Sequence, residues 1–147
     1  MEEIKLKIEC FANEVYSELG PGFSESVYHE AIKVILIENN IPFSSETVIP
    51  IHFHNRQIGF IRADLLIDEE YKYILELKAV SGVFKESEID QLRNYLVRTN
   101  IPFGFLINFP QSNSKKSKDA INILTVTPDN YLEELPKEKK VLDLSFS

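Results

Sequence analysis

Two apolar runs lying close together, within "IRADLLIDEEYKYILELKAV" (residues 61–80), constrain this chain more than any other feature. Residues 58–68 and 72–80 are apolar on both faces, the pattern of central strands covered by helices. They are near enough in sequence to pair as an antiparallel hairpin around Glu69 to Tyr71. Yet Asp64 stands inside the first run, and Glu76 and Lys78 stand one residue apart inside the second. A charge buried in a sheet is costly unless it is paired or holds a metal. Strand alternation puts Glu76 and Lys78 on one face. If paired residue numbers add to about 140 or 142, Asp64 lies opposite or diagonal to Glu76 on that face. A slip of one residue would send Asp64 to the other side.

The rest of the chain supplies cover for such a sheet. Ile4, Ile8, Phe11, Ala12, Val15 and Leu19 recur at three- and four-residue spacing and predict an amphipathic helix over 2–19, with Cys10 packed on its apolar side. "GPG" at 20–22 stops it. Ser24 is an N-cap for a second helix to about Asn39, with Val27, Ala31, Val34, Ile35 and Tyr28 turned inward. Residues 46–54 alternate as a strand, and Pro50 marks it as an edge strand. Asn55 to Gln57 makes a turn. A third helix is predicted over 85–99, with Ile89, Leu92, Leu96 and Thr99 on its buried side. "IPFGFLINF" and "AINILTV" read as strands flanking a polar loop, and residues from about 129 read as a short helix or tail. The order helix, helix, three strands, helix, strand, strand describes one α/β domain over 1–147, a sandwich around a mixed sheet.

Composition narrows the class. The 147 residues fit one domain, and 44% hydrophobic with 27% charged residues is the balance of a globular protein. No apolar run approaches the ~18 residues of a membrane span, and "MEEIKLKIEC" is not a secretion leader, so an intracellular, cytoplasmic location with no membrane partner is expected. The net charge of −7 argues against a nucleic-acid coat protein, though not against an enzyme whose acids bind cations.

Two carboxylates at close range repel, and a divalent cation relieves that repulsion while gaining oxygen ligands. An ammonium beside them can orient a water or face the charge that develops on a phosphate. Asp64, Glu76 and Lys78 therefore suit phosphodiester hydrolysis. Taken alone, D…ExK is short and common, and a structural salt bridge explains it as simply.

Its surroundings are less common. "GFSESVY" at 22–28 has the form G-x-x-E-x-x-Y, and "QLRNY" at 91–95 has the form Q-x-x-x-Y. With "RADLLID" and "ELKAV", in this order and at these intervals, the chain resembles the GxxExxY protein family of the PD-(D/E)XK nuclease-like superfamily over residues from about 8 to 110. The resemblance implies a restriction-endonuclease-like α/β/α sandwich. It makes Glu25 the helix-borne acid, Asp64 the principal metal ligand, Glu76 the second and Lys78 the catalytic lysine. Gln91 and Tyr95 become the helix-borne pair that flanks the site. Glu25, Asp64 and Glu76 would hold Mg²⁺ or Mn²⁺. Ala63-Asp64 replaces the Pro-Asp of the superfamily name, a departure that removes no ligand.

Other readings stand beside these. Glu25 at a helix start favours the dipole without any catalysis, and Gln91 and Tyr95 can simply bond to each other. Tyr28 is a substrate contact or a packed aromatic. Arg62, expected on the face of Asp64, holds a substrate phosphate or neutralises the acids. His52 and His54 read as solvated, and "KKSK" at 115–118 as a basic loop, solvated or in contact with a nucleic-acid backbone. The expected function is a metal-dependent nuclease on DNA, or less readily RNA, with a homodimer suited to embracing a duplex. A catalytically silent module of the same fold is the alternative.

Overall fold

A computed structural model describes residues 1–111 and 120–128. The basic stretch 115–118 and the tail from 129 fall outside the described residues. Helix α1 (Glu2–Leu19) buries Ile8, Ala12, Val15 and Tyr16, and α2 (Glu25–Glu38) buries Tyr28, Ile32, Ile35 and Leu36. Both stripes follow the same i, i+4, i+7, i+8 spacing of a helix with one apolar face. Two expectations fail here. Val27 and Val34 are exposed, because the inward stripe of α2 runs through Ile32 and Leu36 instead. Cys10 is exposed, two residues round from Ile8 and off the stripe.

Five strands follow: β1 (Phe43–Phe53), β2 (Arg56–Asp68), β3 (Lys72–Lys78), β4 (Phe103–Asn108) and β5 (Asn122–Val126). They form one sheet in the order β1-β2-β3-β4-β5, with β3 and β4 parallel and the other pairs antiparallel. Helix α3 (Glu86–Thr99) makes the crossover that a parallel pair requires. The α1–α2 layer packs on Leu65, Ile67, Tyr73, Leu75, Leu77 and Phe105. Leu92, Tyr95 and Leu96 of α3 pack on the opposite face with Ile74 and Leu106. The result is the mixed-sheet α/β/α sandwich expected. Among the described residues, no helix is long and apolar enough to cross a membrane.

Two details of the sheet position the site. The β2–β3 pairing runs Leu65↔Leu75 to Asp68↔Lys72, every pair adding to 140, and it stops before Asp64. Beyond that point β1 and β2 continue as a two-stranded arm, turned by His54 and Asn55 at φ 49° and 63°. The first half of β2 is thus not a central strand. Opposite Asp64, Glu46 takes φ 52°, and the strands coil over: Ile61 and Ala63 pack in the α3 cluster, whereas Leu65 and Ile67 pack against α1 and α2.

Gly104 of β4 lets α3 approach the sheet. A Cβ there would lie 3.0 Å from the Ile74 carbonyl oxygen and 3.2 Å from Leu92 Cδ1. Replacing Gly104 with valine is expected to cost about 1–3 kcal/mol by overpacking. Urea unfolding checks it, with Gly59→Ala as the control, since nothing lies within 4 Å of a Cβ at Gly59. Equal midpoints for the two variants would contradict this packing.

Candidate functional site

Where the β2–β3 ladder ends, two carboxylates take over its hydrogen bonds. The Asp64 N–H donates to Glu76 Oε1 at 3.2 Å, and the Leu77 N–H donates to Asp64 Oδ2 at 2.8 Å. Each acid therefore accepts a backbone N–H from the opposite strand, which fixes both side chains on the main chain itself. The two carboxyl groups also meet each other side chain to side chain, and that contact helps raise the pKa of Glu76.

Lys78 stands two residues on from Glu76 and pairs with Glu88 of α3, Nζ to Oε2 3.6 Å. Glu88 also accepts the Lys85 N–H at 2.8 Å and so closes the first turn of α3. The strand end that carries Lys78 is clamped by Asn108, a buried polar residue. Its Oδ1 accepts the Val80 N–H and its Nδ2 donates to the Val80 carbonyl, both at 3.0 Å. On α3, the Gln91 amide donates to the Tyr95 hydroxyl, as i,i+4 spacing permits. Glu76, Lys78, Glu88, Gln91 and Tyr95 line one small pocket between β3 and α3.

Glu25 reaches the same region from α2. Burial raises its pKa; the charges of Asp64 and Glu88 raise it further, and Lys78 and His29 oppose. The turn that presents Glu25 explains the G-x-x-E-x-x-Y spacing. Gly22 takes φ 107°, a region that favours glycine. Six residues later Tyr28 is fully buried, its ring stacked 4.5 Å from Phe109 and its hydroxyl donating to the Gly20 carbonyl at 2.6 Å. Gln111 joins the two ends by accepting the Gly22 N–H at 2.6 Å and donating to the Tyr28 hydroxyl at 3.1 Å. Tyr28 is therefore the packed aromatic of its two readings, a fully buried anchor of the turn rather than a substrate contact.

The structure brings Asp64, Glu76, Lys78, Gln91 and Tyr95 together, with Glu25 within electrostatic reach. Arg62 departs from the expected face. It pairs with Val48 on the outer, exposed side of the arm, because the coil at Glu46 and Asp64 breaks the alternation that would place it beside Asp64. His52 and His54 are exposed, as expected. Sequence reasoning missed two residues. Glu88 lies three residues before Gln91, a helical spacing that could have revealed it. His29 Nε2 lies 3.2 Å from the Asp64 carbonyl oxygen, a contact across elements with no local signal.

The electrostatics are unbalanced. Glu76 is pushed up to about 9, first by burial and then by the charge of Asp64. Tyr95 is raised by burial and by the charge of Glu76, with the Gln91 hydrogen bond opposing. This donor set fits a hard cation in part: Asp64 and Glu76 offer two carboxylates against one lysine. No group of three or more His, Cys, Asp or Glu able to hold a metal ion occurs among the described residues, so Glu25 does not complete the triple set expected of it.

For a carboxyl raised in the folded state, unfolding releases a proton. Stability without metal therefore falls as pH rises from the ordinary value of 4.5 through about 9. Glu76→Gln keeps the accepting oxygen and removes the charge. The metal-free variant is expected to be more stable than wild type by about 1–3 kcal/mol near pH 8, with little difference near pH 4.5. Thermal melts across that range in chelator check it; a pH-independent difference would contradict the raised carboxyl.

Comparison with known proteins agrees with this fold. The sequence profile of the PD-(D/E)XK nuclease superfamily matches residues 2–120. A comparison with curated proteins gives no match. Among solved structures, the one described as "Crystal structure of SSO0001" is similar in fold, with a TM-score of 0.54 and 19% identity over 82% of this chain. This chain spans 56% of that protein's length. With the matching profile covering most of its length, the chain belongs to the PD-(D/E)XK nuclease superfamily.

Proposed function

We propose that this protein is a divalent-cation-dependent nuclease of the GxxExxY type, hydrolysing phosphodiester bonds in DNA or RNA. The observation that carries the reading is the cross-strand lock of Asp64 and Glu76, two acids held together by backbone N–H groups at the end of the ladder. Such a pair lowers its energy by taking up a proton or a cation. Asp64 and Glu76 would hold Mg²⁺ or Mn²⁺, and Glu25 would act from further out, on the water around the ion. A bound divalent ion supplies a Lewis acid for the phosphoryl oxygen and a water of lowered pKa.

The chain's own groups have distinct tasks in this scheme. The Lys78 ammonium faces the phosphate charge that grows as the water oxygen bonds to phosphorus and one ester P–O bond breaks. Glu88 aims Lys78, and its long 3.6 Å contact leaves the ammonium able to turn toward substrate. Tyr95 accepts the Gln91 amide and retains its own proton for donation.

Cleavage of labelled single- and double-stranded DNA and RNA, with Mg²⁺, Mn²⁺ or chelator, tests the proposal. Metal-dependent cleavage is expected, with Asp64→Ala and Lys78→Ala each at least about 10²-fold slower. Cleavage undiminished by chelator, or as fast in both variants as in wild type, would overturn it. A second reading, a catalytically silent binding module, is favoured by the missing third ligand. Calorimetric titration with Mn²⁺ at pH 7 separates the two. The nuclease reading expects heat that varies with buffer ionisation enthalpy, as the carboxyl pair gives up its proton. The silent module expects no site-dependent heat.

A further inference from the structure

The β1–β2 arm has a composition that the site chemistry does not use. From Thr47 to Ala63 it holds no aspartate or glutamate, in a chain that carries 23 of them and a net charge of −7. Arg56 near its tip and Arg62 near its base are both exposed, and neither has an ion-pair partner among the described residues. Between and beside them Val48, Phe53, Ile58 and Phe60 are 52%, 59%, 65% and 56% exposed, an uncommon loss of apolar burial for one hairpin. The pairs Val48↔Arg62 and Pro50↔Phe60 place cation and aromatic ring on the same outer face.

We propose that this arm is the surface along which a nucleic-acid strand lies on its way to the site, the arginines against phosphates and Phe60 against a base. The proposal rests on the nuclease reading for the identity of the site and extends it to the surface that delivers substrate. Three observations favour this occupant over an added β-strand or a second copy. The local charge is positive where the rest of the chain is acidic, which suits a polyanion. β1 is an edge strand interrupted by Pro50, without an N–H, and by Glu46 at φ 52°, which discourages pairing along that edge. The base of the arm also adjoins the site, since the strand coils over at Asp64, two residues beyond Arg62. Arg56, paired with Phe53 beyond the register shift at Ile51 and His52, stands at the tip, where a strand rounding the end of the hairpin passes from one face to the other. An exposed aromatic among cations is how strands are held without reading sequence.

The test is fluorescence anisotropy with a labelled 20-nucleotide single strand and the matching duplex, on the full chain carrying Lys78→Ala so that no probe is cut. Adding Arg56→Ala and Arg62→Ala together is expected to weaken binding at least about tenfold. The salt slope should fall by about 1.8 on duplex or about 1.4 on single strand, two phosphate contacts' worth. Adding Phe60→Ser should weaken single-strand binding at least about fivefold. Lys72→Ala, an exposed cation off the arm, should change neither quantity appreciably, and circular dichroism checks that each variant is folded. Unchanged affinity and slope in the arginine variant would overturn the proposal, as would a wild-type dimer that Phe60→Ser dissociates without loss of nucleic-acid binding. The two readings fail separately. With Lys78 restored, if wild type cleaves and the arm variants bind and cleave equally well, the arm proposal falls and the nuclease stands. If the arm binds nucleic acid and the protein with Lys78 intact cleaves nothing, the nuclease falls and the arm stands.

Discussion

The fold and the site meet in one exchange of hydrogen bonds: at the mouth of the β2–β3 fork, side-chain carboxylates replace the main-chain ladder. An ordinary antiparallel pair would continue from Leu65↔Leu75 with backbone carbonyls. Here Asp64 and Glu76 accept the N–H groups instead, so β2 separates from β3 without leaving buried donors unpaired. Two opposing magnitudes set the charge state of the pair. A hydrogen bond to a charged group contributes about 1.5–3 kcal/mol. Two unit charges 4 Å apart at an effective dielectric of 20 repel by about 4 kcal/mol, and burial of each adds to that. The N–H groups hold the carboxylates in place, yet they do not offset the repulsion, and the balance falls on Glu76, whose hold on a proton is strengthened. A site that is fixed by the backbone and unsatisfied in charge is prepared to trade that proton for a cation.

The supports around this fork come from every layer. Asn108 of β4 clamps the chain just after Lys78. α3 supplies Glu88, Gln91 and Tyr95 from positions three and four apart, so the stripe that buries Leu92 also presents polar groups at its edge. α2 supplies Glu25 through a turn locked by Gly20, Tyr28 and Gln111. Glu25, Glu88, Gln91, Tyr95 and Asn108 all stand on helices or strands rather than on loops that must order themselves first. Such preorganisation keeps the cost of aligning charges out of the reaction step.

Much of this was legible in the sequence, for reasons that differ by element. The hairpin register followed from apolar faces that a one-residue slip would have turned outward, and the observed sum of 140 puts Asp64 against Glu76. Helix α1 was legible because its polar and apolar residues separate cleanly. α2 was less so: "SVYHEAIKVILI" is apolar on several sides, so periodicity could not choose between the stripe of Val27 and Val34 and that of Ile32 and Leu36. Glu88 and His29 act across elements, where no local pattern carries information. Arg62 was misplaced because strand alternation assumes a regular strand, and the positive φ at Glu46 has no sequence signal in a glutamate.

The same strand shows why a two-sided apolar pattern is ambiguous. The second half of β2, Ala63 to Ile67, is apolar on both sides because helices cover both sides. Its first half shows a similar pattern, yet Ile58 and Phe60 are more than half exposed. Burial cannot account for those residues, and solubility would select against them. Apolar side chains kept in water, with arginines and no acids among them, are a feature that folding alone does not require. The coil at Asp64 is thus a boundary between two uses of one strand: on one side its side chains satisfy the core, and on the other they remain available to something outside the chain.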